Sequence, residues 1–259
     1  MDAVELQRRM ASTYSGVEVV ASTGSTNADL VARDDVPDRF VLVASEQTAG
    51  QGRQGRSWVS PSGGIYLSVH YLLAVPLSRV QWLTMLAGVA LVKVAQSVGV
   101  EAGLKWPNDL LLGPHQRKGA GVLASTTARG VVLGMGLNVQ PLGDVPLGPG
   151  GLEATSLADE GASLLDDTEL TARLLTELAR LEEPWREHNG DPFASGLHEE
   201  YRKHCVTLGQ HVRVELAGQT ELQGTARYLE GDGTLVVRDA EGLDHSVPAG
   251  DVVHLRATS

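Results

Sequence analysis

Between Ser78 and Val98 the chain spells a helix with almost no polar face: Trp82, Met85, Leu86, Val89, Val92 and Lys93 recur at helical spacing, and Gly99 ends it. A helix that is apolar nearly all round has to be covered on every side. It is therefore expected to lie between a sheet and other structure. The flanking sequence supplies that cover. Val17 to Ala21, Phe40 to Ala44, Ile65 to Leu73, Leu110 to Leu112, Gly121 to Ser125 and Val131 to Leu137 read as strands, with Ile65, Leu67, Val69 and Tyr71 on one face. A short helix is expected over residues 2–12 and another running from a Ser25 or Thr26 cap through Ala28, Leu30 and Val31. A third, from Asp167 to His188, carries a stripe of Leu170, Leu174, Leu178 and Leu181, and Pro184 is expected to kink or split it.

From Leu208 onward the texture changes. Val212 to Leu216, Leu222 to Tyr228, Leu235 to Arg238, Asp244 to Val247 and Val252 to Leu255 are short alternating runs between glycine-rich turns, and Gly231-Asp232-Gly233 is a hairpin signal. Five short strands at this spacing suggest a small barrel. The expected division is a larger unit over residues 1–206 and a smaller one over 207–259. The segment from Pro141 to Gly151, with four glycines and three prolines, has no periodicity and reads as a mobile loop near the site.

Composition excludes several classes. A net charge of −11 is wrong for a general nucleic-acid binder, which carries a basic face. The single cysteine, Cys205, rules out an internal disulfide and suits a reducing cytoplasm, where it is read as a packing residue. No apolar run is judged long enough to span a bilayer, and the first twelve residues lack the apolar core of a signal peptide, so a cytoplasmic protein without membrane contact is expected. The histidines lack HExxH spacing and no G-x-S-x-G occurs, which removes metal hydrolase and serine hydrolase readings.

The segment from Ser45 to Gly64, SEQTAGQGRQGRSWVSPSGG, carries the strongest functional signal. Gly50, Gly52 and Gly55 surround Arg53, and Trp58 follows. Glycines this dense let backbone N–H groups converge on an anion, and the planar guanidinium of Arg53 suits a phosphate or carboxylate. The segment formally matches G-x-G-x-x-G, but Pro61, Gly63 and Gly64 follow where a dinucleotide fold needs a helix. No HRD, DFG or GK[ST] sequence accompanies it.

A second cluster follows, Lys105-Trp106-Pro107-Asn108-Asp109, and then Arg117-Lys118-Gly119-Ala120-Gly121. Here the sequence resembles the biotin protein ligases, whose signatures are a GRGRxG loop, a KWPND block and a K-x-x-G stretch, in that order. They stand here as GQGRQG (50–55), KWPND (105–109) and Lys118 to Gly121, preceded by Ser25-Thr26-Asn27 for the family's STN and by Gln47 for its glutamine. The resemblance covers about residues 20 to 255. One departure is Gln51, where many members have arginine; glutamine can hydrogen-bond but brings no charge.

The resemblance implies an α+β fold, with a central mixed β-sheet and flanking helices of the class II aminoacyl-tRNA synthetase-like kind, plus a small C-terminal SH3-like β-barrel. It implies two half-reactions: biotin's carboxylate attacks the α-phosphorus of ATP to give biotinyl-5′-AMP and pyrophosphate, and a lysine of a biotin carboxyl carrier protein or domain of an acyl-CoA carboxylase then takes the biotin. It implies biotin and ATP as substrates, with Mg²⁺, and no permanently bound cofactor. Lys118, Arg53 and Asp109 are the expected catalytic residues. Lys118 would contact biotin's carboxylate and the α-phosphate, and Asp109 would either bind Mg²⁺ or help the target lysine lose its proton. Ser25, Thr26, Asn27, Gln47, Gln51, Gly52, Arg53, Lys118 and Gly121 are the candidate biotin contacts; the first four supply the donors and acceptors a ureido group needs. Arg53, Trp58, Lys105, Asn108, Lys118 and Asn138 are the candidate ATP or adenylate contacts, and Gly134 and Gly136 are places of close backbone approach. Residues 47–60 and 141–153 are expected to order with the adenylate. Only about twenty residues precede the STN motif, too few for the winged-helix domain of the repressor members, so no DNA binding is expected. Either a monomer or a homodimer fits, the latter by pairing of Val131 to Leu137 across two copies. The alternatives are a lipoate ligase or octanoyl transferase, which lacks these paired motifs, and a non-catalytic biotin-binding protein, against which Lys118 and Asp109 argue.

Overall fold

The helices and strands of the computed structural model, described over residues 1–72, 75–148, 151–163, 166–215, 221–248 and 251–254, build two sheets. The larger contains β1 (Gly16–Val20), β2 (Phe40–Ala44), β3 (Ile65–Tyr71), β4 (Ala102–Lys105), β5 (Asp109–Leu112), β6 (Arg117–Thr126) and β7 (Val131–Leu137) in the spatial order β1-β2-β3-β7-β6-β5-β4. β1 and β2 are parallel and the other neighbours antiparallel, so the sheet is mixed. Its helices are α1 (Ala3–Met10), α2 (Thr26–Val31), α3 (Gln81–Ser97), α4 (Asp167–Glu187) and α5 (Leu197–His204). Caps fix their starts. Asp2 accepts from the Glu5 N–H, Ser25 from Ala28, and Asp166 from Thr168 and Glu169, each satisfying an amide the first turn leaves open.

The apolar helix is α3, and it lies where its composition demands. It packs against β4, β5, β6 and β7 on one side and α4 and α5 on the other, with Trp82, Met85, Leu86, Val89 and Val92 fully buried. By length and composition alone Leu77–Ser97 is long and apolar enough to cross a membrane. That corrects the expectation that no run reaches that length; the cover over α3 accounts for its apolar character.

Side-chain alternation sorts the sheet into two faces. Val41, Val43, Leu67, Val69, Leu133 and Met135 join the main core with α3, whereas Leu42 and Val132 join a small second core with Leu30 of α2. The α2 face is therefore only partly filled with apolar side chains. On it stand Ser68 and Gly134, which are paired across β3 and β7.

The second sheet contains β8 (His211–Glu215), β9 (Glu221–Leu229), β10 (Leu235–Arg238), β11 (Asp244–Val247) and β12 (Asp251–His254), all antiparallel, in the order β11-β10-β9-β8-β12. It docks through the turn between β9 and β10. The Trp82 indole donates to Gly231 O at 2.9 Å, and Gln81 Nε2 and the Trp106 indole both donate to Gly233 O, at 3.2 and 3.0 Å.

Several expectations change. Val131–Leu137 cannot pair across a dimer, because β7 already has β3 and β6 on its two edges. Pro184 does not split α4; it sits in the last turn, where only a few residues follow it. β4 and α5 carried too little periodicity to be read. Leu73, Leu216, Leu255 and two residues of the Pro141 to Gly151 segment (149 and 150) lie outside the described residues.

Candidate active site

On the α2 face of the larger sheet, three connections close over a cleft of about 410 Å³. The candidate catalytic, biotin and adenylate residues named from the sequence all line it: Ser25, Thr26, Asn27, Gln47, Gln51, Gly52, Arg53, Trp58, Lys105, Asn108, Asp109, Lys118, Gly121 and Asn138; Gly50 and Gly55 of the glycine segment are not among its lining.

The floor is made by missing side chains. Gly121 of β6 stands opposite Gly136 of β7, and Gly134 is next on the same face. A Cβ on Gly136 would collide with the Trp58 indole nitrogen, and one on Gly134 would meet Asn27 Nδ2 at 3.1 Å and Ser68 Oγ at 3.2 Å. Glycine is thus required where the indole lies on the strands.

One end of the cleft is a neutral hydrogen-bonding group. Gln47 Oε1 accepts from the Thr26 N–H at 2.9 Å and from Thr26 Oγ1 at 3.2 Å, and its Nε2 donates to Ser60 Oγ at 2.9 Å. Thr26 Oγ1 also lies 2.9 Å from Ser68 Oγ. Asn27 donates to Val132 O at 3.2 Å and accepts from Ser125 Oγ at 2.8 Å. These partners leave the amides one orientation each. Ser25 is buried and caps α2, so its hydroxyl has a structural task as well.

The glycine segment forms a narrow hairpin. Gln51 bridges Ser57, the Gly52 N–H donates to Arg56 O at 2.7 Å, and the Trp58 N–H donates to Gly50 O at 2.8 Å. Arg53–Gly55 is a single 3₁₀ turn in which Gln54 and Gly55 take left-handed φ angles of 56° and 72°. Gly50 has no space for a side chain, since a Cβ would strike Trp58 O and Ser60 Oγ. Gln51 itself is exposed on the rim.

The Lys105 to Asp109 block is the tight turn between β4 and β5, with Lys105 paired to Asp109. Asn108 fastens it to β6: its O accepts from Val122 N and its Nδ2 donates to Val122 O, both at 3.0 Å. Asn108 Oδ1 accepts from Arg53 Nη1 at 3.2 Å, joining the two motifs. Beside them β6 is irregular opposite Leu110 and Leu111, which face Ala120 and Lys118. A bulge of this kind re-aims a side chain. Lys118 is turned so that its Nζ meets Asp109 Oδ1 at 2.6 Å and lies 5.2 Å from the Trp58 ring centre, both side chains being less than one-fifth exposed.

Three buried polar atoms in this cleft have no protein hydrogen-bond partner among the described residues: Trp58 Nε1, Asn138 Oδ1 and Asp109 Oδ1, the last being in ion contact with Lys118. Asn138 is otherwise locked, its Nδ2 donating to Thr155 O at 2.9 Å. Buried polar atoms are rarely left unpaired in native proteins, so Trp58 Nε1 and Asn138 Oδ1 each await a partner. The charge balance points the same way. The charged side chains among the described lining residues are Arg53, Arg56, Lys105, Lys118 and Asp109, in a chain whose net charge is −11. The cleft is built for an anion.

Sequence reasoning missed part of this wall. Arg56 was within reach, since it lies in the same glycine segment. Val252, which reaches the cleft from β12, gave no local signal, and neither did Ser60 and Ser68, which lie outside the lining and orient Gln47 and Thr26.

Comparison with known proteins adds a third line of observation. Residues 16–140 match the Biotin/lipoate A/B protein ligase family, and residues 207–255 match the Biotin protein ligase C terminal domain. The chain is 41% identical over 269 residues to a biotin--[acetyl-CoA-carboxylase] ligase of Mycobacterium tuberculosis, covering 99% of this chain and 96% of that one. It is 30% identical over 235 residues to a bifunctional ligase/repressor BirA of Bacillus spizizenii, covering 87% of this chain and 69% of the relative. Its fold is similar to that of a biotin protein ligase from Aquifex aeolicus in complex with biotin and ATP, with a TM-score of 0.77 at 22% identity over 94% of this chain and 100% of that one.

Proposed function

The chain belongs to the biotin protein ligase family, and on that premise we propose that it activates biotin with ATP and transfers it to a lysine of a biotin carboxyl carrier protein or domain of an acetyl-CoA carboxylase. The observation that carries this reading is the Lys118 ammonium, 2.6 Å from Asp109 Oδ1 and beside the Trp58 ring, in the cleft where the Arg53 loop and the Lys105 to Asp109 turn meet. Both reactants of the first step, a carboxylate and a triphosphate, are anions that repel each other. Their approach needs a positioned cation such as Lys118 more than it needs covalent help from the protein.

In the first half-reaction a biotin carboxylate oxygen bonds to the α-phosphorus while the bond to pyrophosphate breaks. Lys118 is the residue for this step. Its ammonium has three N–H groups, of which Asp109 engages one, so it can bridge the carboxylate and the α-phosphate. Arg53, held by Asn108, and Lys105 add charge where the phosphates lie. In the second half-reaction the carrier lysine's amine attacks the acyl carbon and AMP leaves. Asp109 can take the proton that this amine must lose, or bind Mg²⁺ directly or through water. Among the described residues no group of three or more His, Cys, Asp or Glu side chains is placed to hold a metal. Mg²⁺ is therefore read as arriving with the nucleotide, with Asp109 as a single ligand.

The neutral end, with Ser25, Thr26, Asn27 and Gln47, suits the ureido ring; Gln51, Gly52 and Gly121 border the path to Lys118. Trp58 covers the ligand, and Asn138 Oδ1 is an acceptor for the adenine amino group. The five-stranded unit over 207–259 is read as an SH3-like barrel, and residues 1–206 as the class II synthetase-like catalytic unit.

The test is biotin-dependent pyrophosphate release with ATP and Mg²⁺, with lipoate and octanoate in parallel. Release with biotin alone, followed by labelling of a carrier-domain lysine, is expected. Release with lipoate instead, or with none of the three, would overturn the proposal.

A further inference from the structure

We propose that Thr207 is a positioning residue for adenylate formation: its buried hydroxyl, held by His254 of the second sheet, fixes the Trp106 amide and through it the turn that carries Lys105, Asn108 and Asp109. The proposal rests on the ligase reading above.

Thr207 lies between α5 and β8, where the chain passes from one sheet to the other, and has no exposed surface. Its Oγ1 accepts the Trp106 N–H at 3.0 Å and lies 3.0 Å from His254 Nε2. A hydroxyl has one proton and two lone pairs. With a lone pair committed to Trp106, its own proton is available to His254, provided that Nε2 is unprotonated. The surroundings enforce that state. Burial, and then the positive charge of Lys105, push the imidazole down to about 4. At neutral pH the hydrogen bonds therefore run one way, from Trp106 N–H to Thr207 and from Thr207 O–H to His254.

The other end of Trp106 is held by the same sheet, through its indole N–H on Gly233 O. Trp106 is thus fixed at both its amide and its ring, and the residues that follow it are the ones that meet Arg53 and Lys118. Neither Thr207 nor His254 lines the cleft. Their effect on the chemistry passes through the turn, and small misplacements of charged groups are expensive in a site that works by positioning.

Thr207→Val keeps the shape and removes the hydroxyl, leaving the Trp106 N–H without its acceptor. In steady-state pyrophosphate release it is expected to lower kcat about tenfold, or about 1.4 kcal/mol, with biotin Kd by calorimetry within about twofold of the unaltered protein. Thr207→Ser restores the hydroxyl and is expected to recover kcat to within about twofold. His254→Phe removes the far acceptor without touching Trp106, is expected to lower kcat about threefold at unchanged biotin Kd, and decides the matter if the valine variant does not fold. Unchanged kcat in Thr207→Val and His254→Phe, or a parallel loss of biotin binding and turnover that serine does not restore, would overturn the role alone. If the unaltered protein releases no pyrophosphate with biotin, the ligase reading falls and the role falls with it.

Discussion

The pairing of Lys118 with Asp109 sets what each can do. The ammonium is 2.6 Å from a carboxylate oxygen, which holds the lysine in position. A charge-assisted hydrogen bond is worth ~1.5–3 kcal/mol, and tenfold in rate corresponds to about 1.4 kcal/mol. Lys118→Ala is therefore expected to slow adenylate formation roughly 10- to over 100-fold, read as biotin-dependent pyrophosphate release; a variant within about threefold of the unaltered protein would remove Lys118 from the reaction. The residues of this centre were legible because they come in contiguous blocks: three glycines around Arg53, a five-residue turn, and Lys118 three positions before Gly121. Ser60 and Ser68 were not. Each is an ordinary polar residue in its own segment, and it gains its task only when the sheet brings it against Gln47 or Thr26.

Helices and strands differ in how much of their packing their own sequence declares. α3 declared all of it, since an apolar surface all round has one solution, burial on every side. β8 to β12 were legible from alternation. β4 was not: Ala-Gly-Leu-Lys alternates nothing, and a two-strand turn identifies it only once β5 is in place. α5 has just two buried residues, Leu197 and Tyr201, too few to establish a helical stripe. Nor did the sequence disclose how α4 is stapled to the sheet. Glu182 of α4 is fully buried between Arg39 (2.5 Å) and Arg186, which also reaches Asp38 at 2.8 Å. Removing one partner of a buried ion pair costs about 3–5 kcal/mol; both arginines keep some solvent access, so Glu182→Ala is expected to cost about 2–3 kcal/mol. For a chain of this size that lowers Tm by about 5–10 °C, and a calorimetric shift below about 2 °C would show that the arginines re-solvate freely. β12 carries a pH dependence of its own. His254 titrates at about 4 in the fold and at 6.5 when unfolded. Between those values the unfolded chain binds the extra proton, so this contribution to stability is complete above pH 6.5 and is lost as pH falls towards 4. With the ring only partly buried it amounts to about 1–2 kcal/mol. Urea unfolding at pH 7 and pH 4.5 should show the unaltered protein losing that much more than His254→Phe; equal losses would show that the histidine is not held neutral.

The division at residues 206 and 207 that the change of texture suggests is a division of sheets, and the hydrogen bonding across it decides whether it is also a division of stability. Two tryptophan indoles from the first unit end on carbonyls of the β9–β10 turn. Met85 of the central helix lies against Gly233 so closely that a Cβ there would be 2.9 Å from its methyl group. Where the chain crosses, the Trp106 N–H of the first unit donates to Thr207 Oγ1 of the second at 3.0 Å. Separating the units would break these three hydrogen bonds and uncover Trp82 and Trp106, both essentially without exposed surface. A hydrogen bond exchanged for one to water costs about 0.5–1.5 kcal/mol and exposing a large apolar side chain about 1.5–3 kcal/mol, so three bonds and two tryptophans together approach the ~5–15 kcal/mol that holds a whole domain folded. The smaller unit, with about fifty residues, is in the size range where a lone core is marginal. The two sheets are accordingly expected to unfold together. Differential scanning calorimetry of the full chain should give a single transition whose calorimetric and van't Hoff enthalpies agree, and a saturating adenylate analogue should move that one transition upward as a whole. Two resolved transitions, with only the upper one responding to ligand, would mean that the second sheet is an independent appendage, and its hold on the Trp106 turn would then be too weak to position anything.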